Sequence, residues 1–465
     1  VTKGQTIKAK APRVSAREVA LTRLVDIQSR GSYANLGLDE AFKGLETAER
    51  ALATQLINGV LRHRGQLDWV LNEVLNRSAR GKRRNVCDLP PRIAAILRLG
   101  AFQVLFLDRI PASAAVNEAV RQAGQKASQA GLKPLVNAVL RQVAARETPW
   151  QWPVFADAPL DALMWRYSLP EWLSRLWLER FGPEAEALAT WSVAPPRLCL
   201  RVNTLRCDRQ PLCEALTRAM VPHRVSTVSD DGVVLDGPVV VTELPGYDAG
   251  WFYVQDEAAM LVVDVLGAAP GELVIDVGAA PGGKTTHLAQ CMRNEGQILA
   301  VDVSAARLKL VERNCERLGV KCVRVLCGDG QVVEQWPVAD RILLDVPCSG
   351  LGVLPRKPDL RFRQTPVQIE ALLSVQQGLL VSAARRLKLG GTMVYSTCTI
   401  NLAENQAQVR AFLSSHPDFE LGDLTRDLPE AWRVDCEDRG MIQLLPHRHG
   451  VDGFFVAKLI KKGDR

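Results

Sequence analysis

No apolar run in the sequence approaches the ~18 residues that a bilayer crossing needs. The polar, basic start from Val1 to Lys10 has no apolar core of the kind a secretory signal carries. Neither a membrane partner nor export is expected, and the expected compartment is the cytoplasm. The eleven cysteines include no C-x-x-C pair, and the six histidines are scattered along 465 residues. A disulfide framework and a structural zinc site are therefore not expected, and no metal is assigned. No low-complexity block interrupts the chain. With 47% hydrophobic and 23% charged residues it has the make-up of a soluble globular protein of roughly three domains. Most of its cysteines read as small core residues.

Charge is present but uneven. Residues 1–150 carry 24 Lys+Arg against 12 Asp+Glu, a surplus of twelve, whereas the remainder carries 34 against 39. The basic third suggests docking on a polyanion; a merely solvated surface is the plainer alternative.

That third is read as all α. Residues 1–12 form a basic tail. Ser15 with Glu18 reads as a capping box for a first helix through Ile27. Further helices are expected over roughly Glu49 to His63, from Leu67, from Pro90-Pro91, from Ser113 to Val120 and from Lys133 to Val143. Arg80-Gly-Lys-Arg-Arg84 is a cationic loop between them. Three short stretches, Ala16-Arg17 to Leu24, Gly59-Val-Leu-Arg62 and Val136-Asn-Ala-Val-Leu-Arg141, resemble the NusB-type RNA-binding helical fold. Residues 147–195 contain six tryptophans (150, 152, 165, 172, 177 and 191), read as packing groups rather than base-stacking ones. A small α/β module follows: strands at Leu198–Val202, Val233–Leu235 and Val239–Thr242, and a helix around Gln210 to Met220. Its Arg201 and Arg206 are candidates for phosphate contact.

From Gln255-Asp256-Glu257 onward, strands and helices alternate. Strands are expected at 273–277, 297–303, 323–327, 341–345 and 391–396, which is the pattern of a doubly wound parallel sheet. The first of them runs into Gly278-Ala279-Ala280-Pro281-Gly282-Gly283-Lys284-Thr285. Letter for letter this is a phosphate loop, G-x-x-x-x-G-K-[ST], and equally the first motif of an S-adenosylmethionine (SAM) dependent methyltransferase. Asp276, Asp302, Asp329 and Asp345 fall at successive strand ends. Four carboxylates oppose a triphosphate unless magnesium intervenes but suit a sulfonium and an ammonium, and Pro281 removes one N–H donor from any phosphate cradle, although Arg341-Ile-Leu-Leu-Asp345 imitates a Walker B strand. The SAM reading is preferred. Lys284 then reads either as a counter to developing negative charge or as a tie to nearby carbonyls.

Two cysteines reach the same rim, in Asp345-Val-Pro-Cys348-Ser-Gly and Ser396-Thr-Cys398-Thr. Methylation at nitrogen or oxygen needs no thiol. Methylation of cytosine at C5 does, because a thiolate adding to C6 makes C5 nucleophilic. Residue logic alone leaves open which cysteine attacks.

These stretches, with Gly250–Met260, Arg307, Glu404-Asn405 and Gly453-Phe-Phe-Val-Ala-Lys458, resemble the RsmB/NOP family of RNA (cytosine-C5) methyltransferases over nearly the whole chain. The NusB-like part narrows the resemblance to the branch acting on 16S rRNA. The resemblance implies SAM contacts from Gly278, Ala279, Ala280, Pro281, Gly282, Gly283, Lys284, Asp302, Asp329 and Asp345. It implies Cys398 as nucleophile, Cys348 as the group that assists proton removal and release, and Asp345 as the partner of the base. Gly278, where the family often has cysteine, and Asn401-Leu-Ala, where proline is frequent, depart from the pattern. The expected architecture is a NusB-like helical domain (1–147), linker helices with a small α/β module (148–245) and a Rossmann-like methyltransferase domain (246–465), acting as a monomer. A tRNA substrate, or an RNA-binding factor without catalysis, are the alternatives.

Overall fold

The computed structural model describes residues 15–30, 41–77 and 84–463. The basic tail and all but Arg84 of the cationic loop lie outside them. The chain divides into two units: residues 1–194 with 354–363, and residues 195–353 with 364–465.

The first unit is helical: α1 (Ala16–Arg30), α2 (Thr47–Arg62), α3 (Arg64–Arg77), α4 (Pro91–Phe106), α5 (Ala112–Gly124), α6 (Lys133–Ala144), α7 (Glu171–Phe181) and α8 (Ala185–Val193). No strand interrupts residues 15–146 among those described. Apolar stripes at helical spacing converge on α4, whose Ile93, Ile96, Leu97 and Phe102 are buried with Leu56, Val60, Leu71 and Leu140. Gly59 sits mid-helix for a steric reason: a Cβ there would lie 2.0 Å from the Phe102 ring. The Ser15 cap is half of the expected box. Its hydroxyl accepts from the Glu18 N–H at 3.3 Å, while the Glu18 carboxylate lies toward Arg92 instead. Among the described residues of this unit, Arg98 and Asp68 form a buried ion pair, at 2.6 and 3.0 Å. Among the tryptophans, Trp177 is fully buried and Trp69 meets Trp165 at 5.6 Å between ring centroids. Arg361, also fully buried, donates to the carbonyls of Arg62, Tyr167 and Ser192.

The second unit holds two sheets. The smaller has the order β2-β3-β1-β4, from β1 (Leu198–Val202), β2 (His223–Val225), β3 (Gly232–Leu235) and β4 (Phe252–Val254), with α9 (Arg209–Arg218) between β1 and β2. The strand expected at Val239–Thr242 is not there: Val241–Glu243 is a single 3-10 turn, and the sheet is completed by β2 and β4.

The larger sheet has a parallel core, β9-β8-β5-β6-β7. Its strands are β5 (Leu273–Val277), β6 (Gln297–Asp302), β7 (Val323–Cys327), β8 (Ala339–Asp345) and β9 (Leu387–Thr397). Apolar residues on both sides of β5 and β8 bury them on two faces, as a parallel sheet requires. Ile275, Val277, Ile342 and Leu344 join one cluster with Leu379 and Leu380 of α13 (Pro366–Ala384). That helix is 19 residues long and apolar enough to span a bilayer by length and composition; its packing on the sheet marks it as a core helix. Helices α10 (Glu257–Leu266), α11 (Gly283–Cys291) and α12 (Ala305–Leu318) complete the crossovers, and α14 (Gln406–Ser415) follows β9. The sheet is mixed rather than purely parallel, contrary to what the alternation implies. β13 (Phe454–Lys461) runs antiparallel to β9, and β10 (Phe419–Leu421), β11 (Cys436–Glu437) and β12 (Met441–Leu444) extend that edge.

Candidate active site at the carboxyl ends of the parallel strands

The glycine loop leaves β5 and enters α11. Gly278 has φ +76°, and a Cβ on it would lie 2.2 Å from the Asp345 carbonyl oxygen. Glycine is thus what lets the loop lie against the end of β8. The N–H groups of Gly278 and Ala279 both donate to the Val301 carbonyl, at 2.9 and 3.1 Å. Gly282, at φ +101°, is the N-cap of α11, and the Ala280–Pro281 peptide is cis.

The two side chains that a phosphate loop would aim at phosphate and magnesium are committed elsewhere. Lys284 Nζ pairs with Asp345 Oδ2 at 2.7 Å, and Thr285 Oγ1 donates to Asp276 Oδ2 at 2.6 Å. The phosphate reading of the motif fails on these two bonds. Asp276 itself is not a rim acid, despite its position at a strand end. It is fully buried, and burial pushes its carboxyl up to about 7. The other three differ in exposure: Asp302 is buried, Asp329 exposed and Asp345 half-buried. Asp302 accepts from the N–H groups of Ala280 (3.2 Å) and Ser304 (2.9 Å), with Arg307 at 3.5 Å. Asp329 is exposed and accepts from Gln331 N–H. Asp345 is half-buried between Lys284 and Ser396, whose hydroxyl donates to Oδ1 at 3.2 Å.

Strands β8 and β9 are parallel neighbours with Asp345 in register with Ser396. Cys348 and Cys398, three and two residues further on, therefore end side by side, with their sulfurs 3.4 Å apart. Two consecutive residues hold the two cysteine loops. Glu404, fully buried, accepts from Ser349 N–H (2.7 Å), Ser349 Oγ (2.5 Å), Gln376 Nε2 (3.2 Å) and Asn401 Nδ2 (3.1 Å), which fixes the Pro-Cys loop. Asn405 accepts from Thr397 Oγ1 at 2.6 Å and donates to the Thr399 carbonyl at 3.0 Å, gripping both residues beside Cys398. Ser349 and Thr399 hydroxyls meet at 2.7 Å, and Gly352 N–H donates to the Cys398 carbonyl.

Electrostatics set the state of the Cys348 thiol. The hydrogen bond with Cys398, then burial, holds the Cys348 thiol well above the usual range, so it stays protonated. Burial works against the Lys284 ammonium, but Asp345 and, more weakly, the Cys398 sulfur outweigh it and keep the lysine charged. A cation thus stands where a Cys398 thiolate would gain by it. The structure brings Lys284, Asp345, Cys348 and Cys398 together. Asp302 and Asp329 lie further along the same rim, at the ends of β6 and β7. Ser349, Gln376, Thr397 and Thr399 escape a reading of the sequence; their types carry no signal until the loops are placed. Arg201, a candidate phosphate contact, is fully buried. It bonds Gln255, the Gly283 carbonyl and Thr286 Oγ1, so it braces the glycine loop from within.

Comparison with known proteins bears on the whole chain. The family described as "16S rRNA methyltransferase RsmB/F" matches residues 263–460, the NusB family residues 14–145, and an RsmF/B-like ferredoxin-like domain residues 169–242. The "Probable ribosomal RNA small subunit methyltransferase B" of Synechocystis sp. is 39% identical over 455 residues, covering 96% of this chain and 100% of the relative. The protein of the same name from Bacillus subtilis is 35% identical over 460 residues, covering 97% and 100%. A solved methyltransferase homologue from Pyrococcus horikoshii superposes with a TM-score of 0.57 at 31% identity, covering 65% of this chain and 99% of that one.

Proposed function

The chain belongs to the RsmB/F family of 16S rRNA methyltransferases, and from that premise we propose that it methylates C5 of a cytosine in 16S rRNA through a covalent adduct of Cys398 with C6. The observation that carries this reading is the pair of thiols 3.4 Å apart beside Asp345 and Lys284. Transfer to nitrogen or oxygen gives no use to either sulfur.

SAM fits the residues present. The loop offers a glycine turn and a helix N-terminus, and its lysine and threonine are already engaged by carboxylates, so nothing there is held free for phosphate. Asp302 and Asp329 at successive strand ends suit ribose hydroxyls and an adenine edge, and Gly278 to Lys284 with Asp345 would line the methionine end. When bound, SAM supplies the methyl group that C5 takes.

The protein's own groups do the rest. The target base leaves its stack to reach a cleft at the strand ends. The Cys398 thiolate, next to the Lys284 ammonium, adds to C6 and gives C5 enamine character. Asp345 accepts from the N4 amino edge of the base while Lys284 and Ser396 hold the carboxylate in place. After methyl transfer a solvent water takes the C5 proton, the C5–H electron pair re-forms the C5–C6 double bond, and the C6–sulfur bond breaks with its pair returning to Cys398 as thiolate. Cys348, in contact with Cys398, is positioned to assist that elimination. The NusB-like unit, with the chain's surplus of positive charge, would supply affinity for RNA phosphate.

The test is methyl transfer from labelled SAM to purified 16S rRNA, with tRNA in a parallel reaction, followed by digestion to nucleosides. Label in 5-methylcytidine from 16S rRNA is expected. Label in another nucleoside would overturn the chemistry, and label from tRNA alone would overturn the substrate.

A further inference from the structure

Away from the thiol pair, the opposite end of α11 carries a second cluster of chemistry-bearing groups. His287 and Cys291 stand four residues apart on this helix and so share a face. Asp264 of α10 faces them; one ligand atom from each of the three lies within 4.8 Å of the others. Asp231, in the turn before β3, completes the group. His287 Nε2 lies 3.8 Å from Asp264 Oδ1 and 3.9 Å from Asp231 Oδ2. Both distances exceed a hydrogen bond, and neither ring nitrogen of this fully buried histidine has a partner. A buried imidazole left unsatisfied at both nitrogens is costly. Its Nε2 points at two carboxylates with a thiol beside them.

We propose that Asp264, His287 and Cys291, with Asp231 as fourth ligand, form a binding site for a divalent transition-metal ion, Zn2+ by the chemistry of the donors. One imidazole, one thiolate and two carboxylates make a tetrahedral set that zinc accepts. In such a site ligand atoms lie about 3.3–3.7 Å apart: the His287–carboxylate distances of 3.8 and 3.9 Å exceed that slightly, the set of Asp264, His287 and Cys291 closes from within 4.8 Å, and Asp231 Oδ2 gives up the bond that Gln290 Nε2 donates to it.

The charges balance. Two carboxylates and one thiolate bring three negative charges; Zn2+ and the buried Arg201 guanidinium, whose field reaches Asp264, Asp231 and Cys291, bring three positive ones. Binding forms the metal–sulfur bond and releases the Cys291 proton, with any proton on Asp264, to solvent. The carboxylate side chains are 27% and 34% exposed while the imidazole is 1% exposed, so an ion can arrive from the acidic side. The ion would tie α11, and hence the glycine loop at its N-terminus, to α10 and to the small sheet. This departs from the expectation that no metal binds. The spacing rules for zinc look for ligands close in sequence, and here they come from three separate segments.

The experiment uses the full chain carrying Cys348→Ser and Cys398→Ser, so that the active-site thiols cannot bind metal, stripped with a chelator and titrated with Co2+. One equivalent should bind, with the near-ultraviolet thiolate-to-cobalt band and the visible bands of a tetrahedral site. Zn2+ should displace it and raise Tm by on the order of 5 °C at a hundredfold excess over Kd. Adding Cys291→Ser should abolish the thiolate band, and His287→Ala should weaken binding at least about tenfold. Absence of the band in the parent chain, or its survival in the Cys291→Ser chain, would overturn the proposal. Should either variant fail to fold, the parent titration and its Zn2+-dependent Tm decide alone.

Discussion

Replacing Glu404 by glutamine exchanges one carboxylate oxygen for an amide nitrogen and should disable the Pro-Cys loop. The carboxylate is fully buried and receives four donors, two on each oxygen: Ser349 N–H and Gln376 Nε2 on one, Ser349 Oγ and Asn401 Nδ2 on the other. Glutamine can keep one oxygen where the two strictest donors meet. Its amide nitrogen then faces the Ser349 hydroxyl and the Asn401 amide. The Ser349 hydroxyl must then accept from that nitrogen and turn its proton toward Thr399 Oγ1, and the asparagine is left facing another donor. One charge-assisted bond is lost and one donor is left buried without a partner, a cost of about 2–4 kcal/mol. At roughly 2–4 °C per kcal/mol, the transition of the catalytic unit should fall by on the order of 4–16 °C. Ser349 follows Cys348 directly, so the thiol should lose its fixed position. Misplacement by about 1 Å can cost on the order of 100-fold in rate. The assays are thermal unfolding, steady-state turnover with its dependence on SAM, and the fraction of protein covalently bound to RNA. Turnover should slow by roughly one to two orders of magnitude, the KM for SAM should stay unchanged, and the adduct should accumulate, because elimination rather than attack is impaired. Undiminished turnover with no adduct, whatever the Tm, would refute the positioning role assigned to Glu404.

Lys284→Met should slow alkylation of Cys398 at fixed pH by about tenfold, one pKa unit's worth of thiolate, while circular dichroism remains native; an unchanged alkylation rate would remove the lysine from thiolate stabilisation. Asp276→Asn reports through pH. Because the folded-state carboxyl is raised to about 7 from 3.8, the native state holds the proton longer than the unfolded chain, and the wild type should lose stability as pH rises between those values and level off above. The difference between wild type and variant in urea unfolding should show that slope; a flat difference would contradict the raised value. In the helical unit, Asp68→Ala strands the buried Arg98 guanidinium and should cost about 3–5 kcal/mol in unfolding of that unit, with SAM binding by calorimetry unaltered.

Much of the architecture is legible because its signals are local. The run Leu273–Val277, the glycines after it and the acids at later strand ends mark a parallel sheet with its site at the carboxyl edge. The helices of the basic third follow from apolar periodicity and from Pro91 at the start of α4. What stays hidden depends on partners distant in sequence. Val239–Thr242 is β-branched enough for a strand, but Val240 is 39% exposed and the segment pairs with nothing. The real edge strands β2 and β4 have three residues each, too few for a pattern. The antiparallel pairing of β13 with β9 gives no sign along either strand. In the site, both cysteines are visible as residues at strand ends. Their contact requires β8 and β9 to be neighbours with Asp345 opposite Ser396, and the clamp by Glu404 and Asn405 requires the loops to close. Lys284 bonds a carboxylate rather than loop carbonyls, and its pairing with Asp345 also decides between the two readings of the glycine loop.

The central claim is the division of labour between two sulfurs 3.4 Å apart. It is tested most directly by incubating wild type, Cys398→Ala and Cys348→Ala with SAM and 16S rRNA and resolving the products on a denaturing gel. Cys348→Ala should accumulate a covalent protein–RNA species while Cys398→Ala forms none and transfers no methyl group. An adduct with Cys398→Ala and none with Cys348→Ala would exchange the roles of the two cysteines and contradict the account.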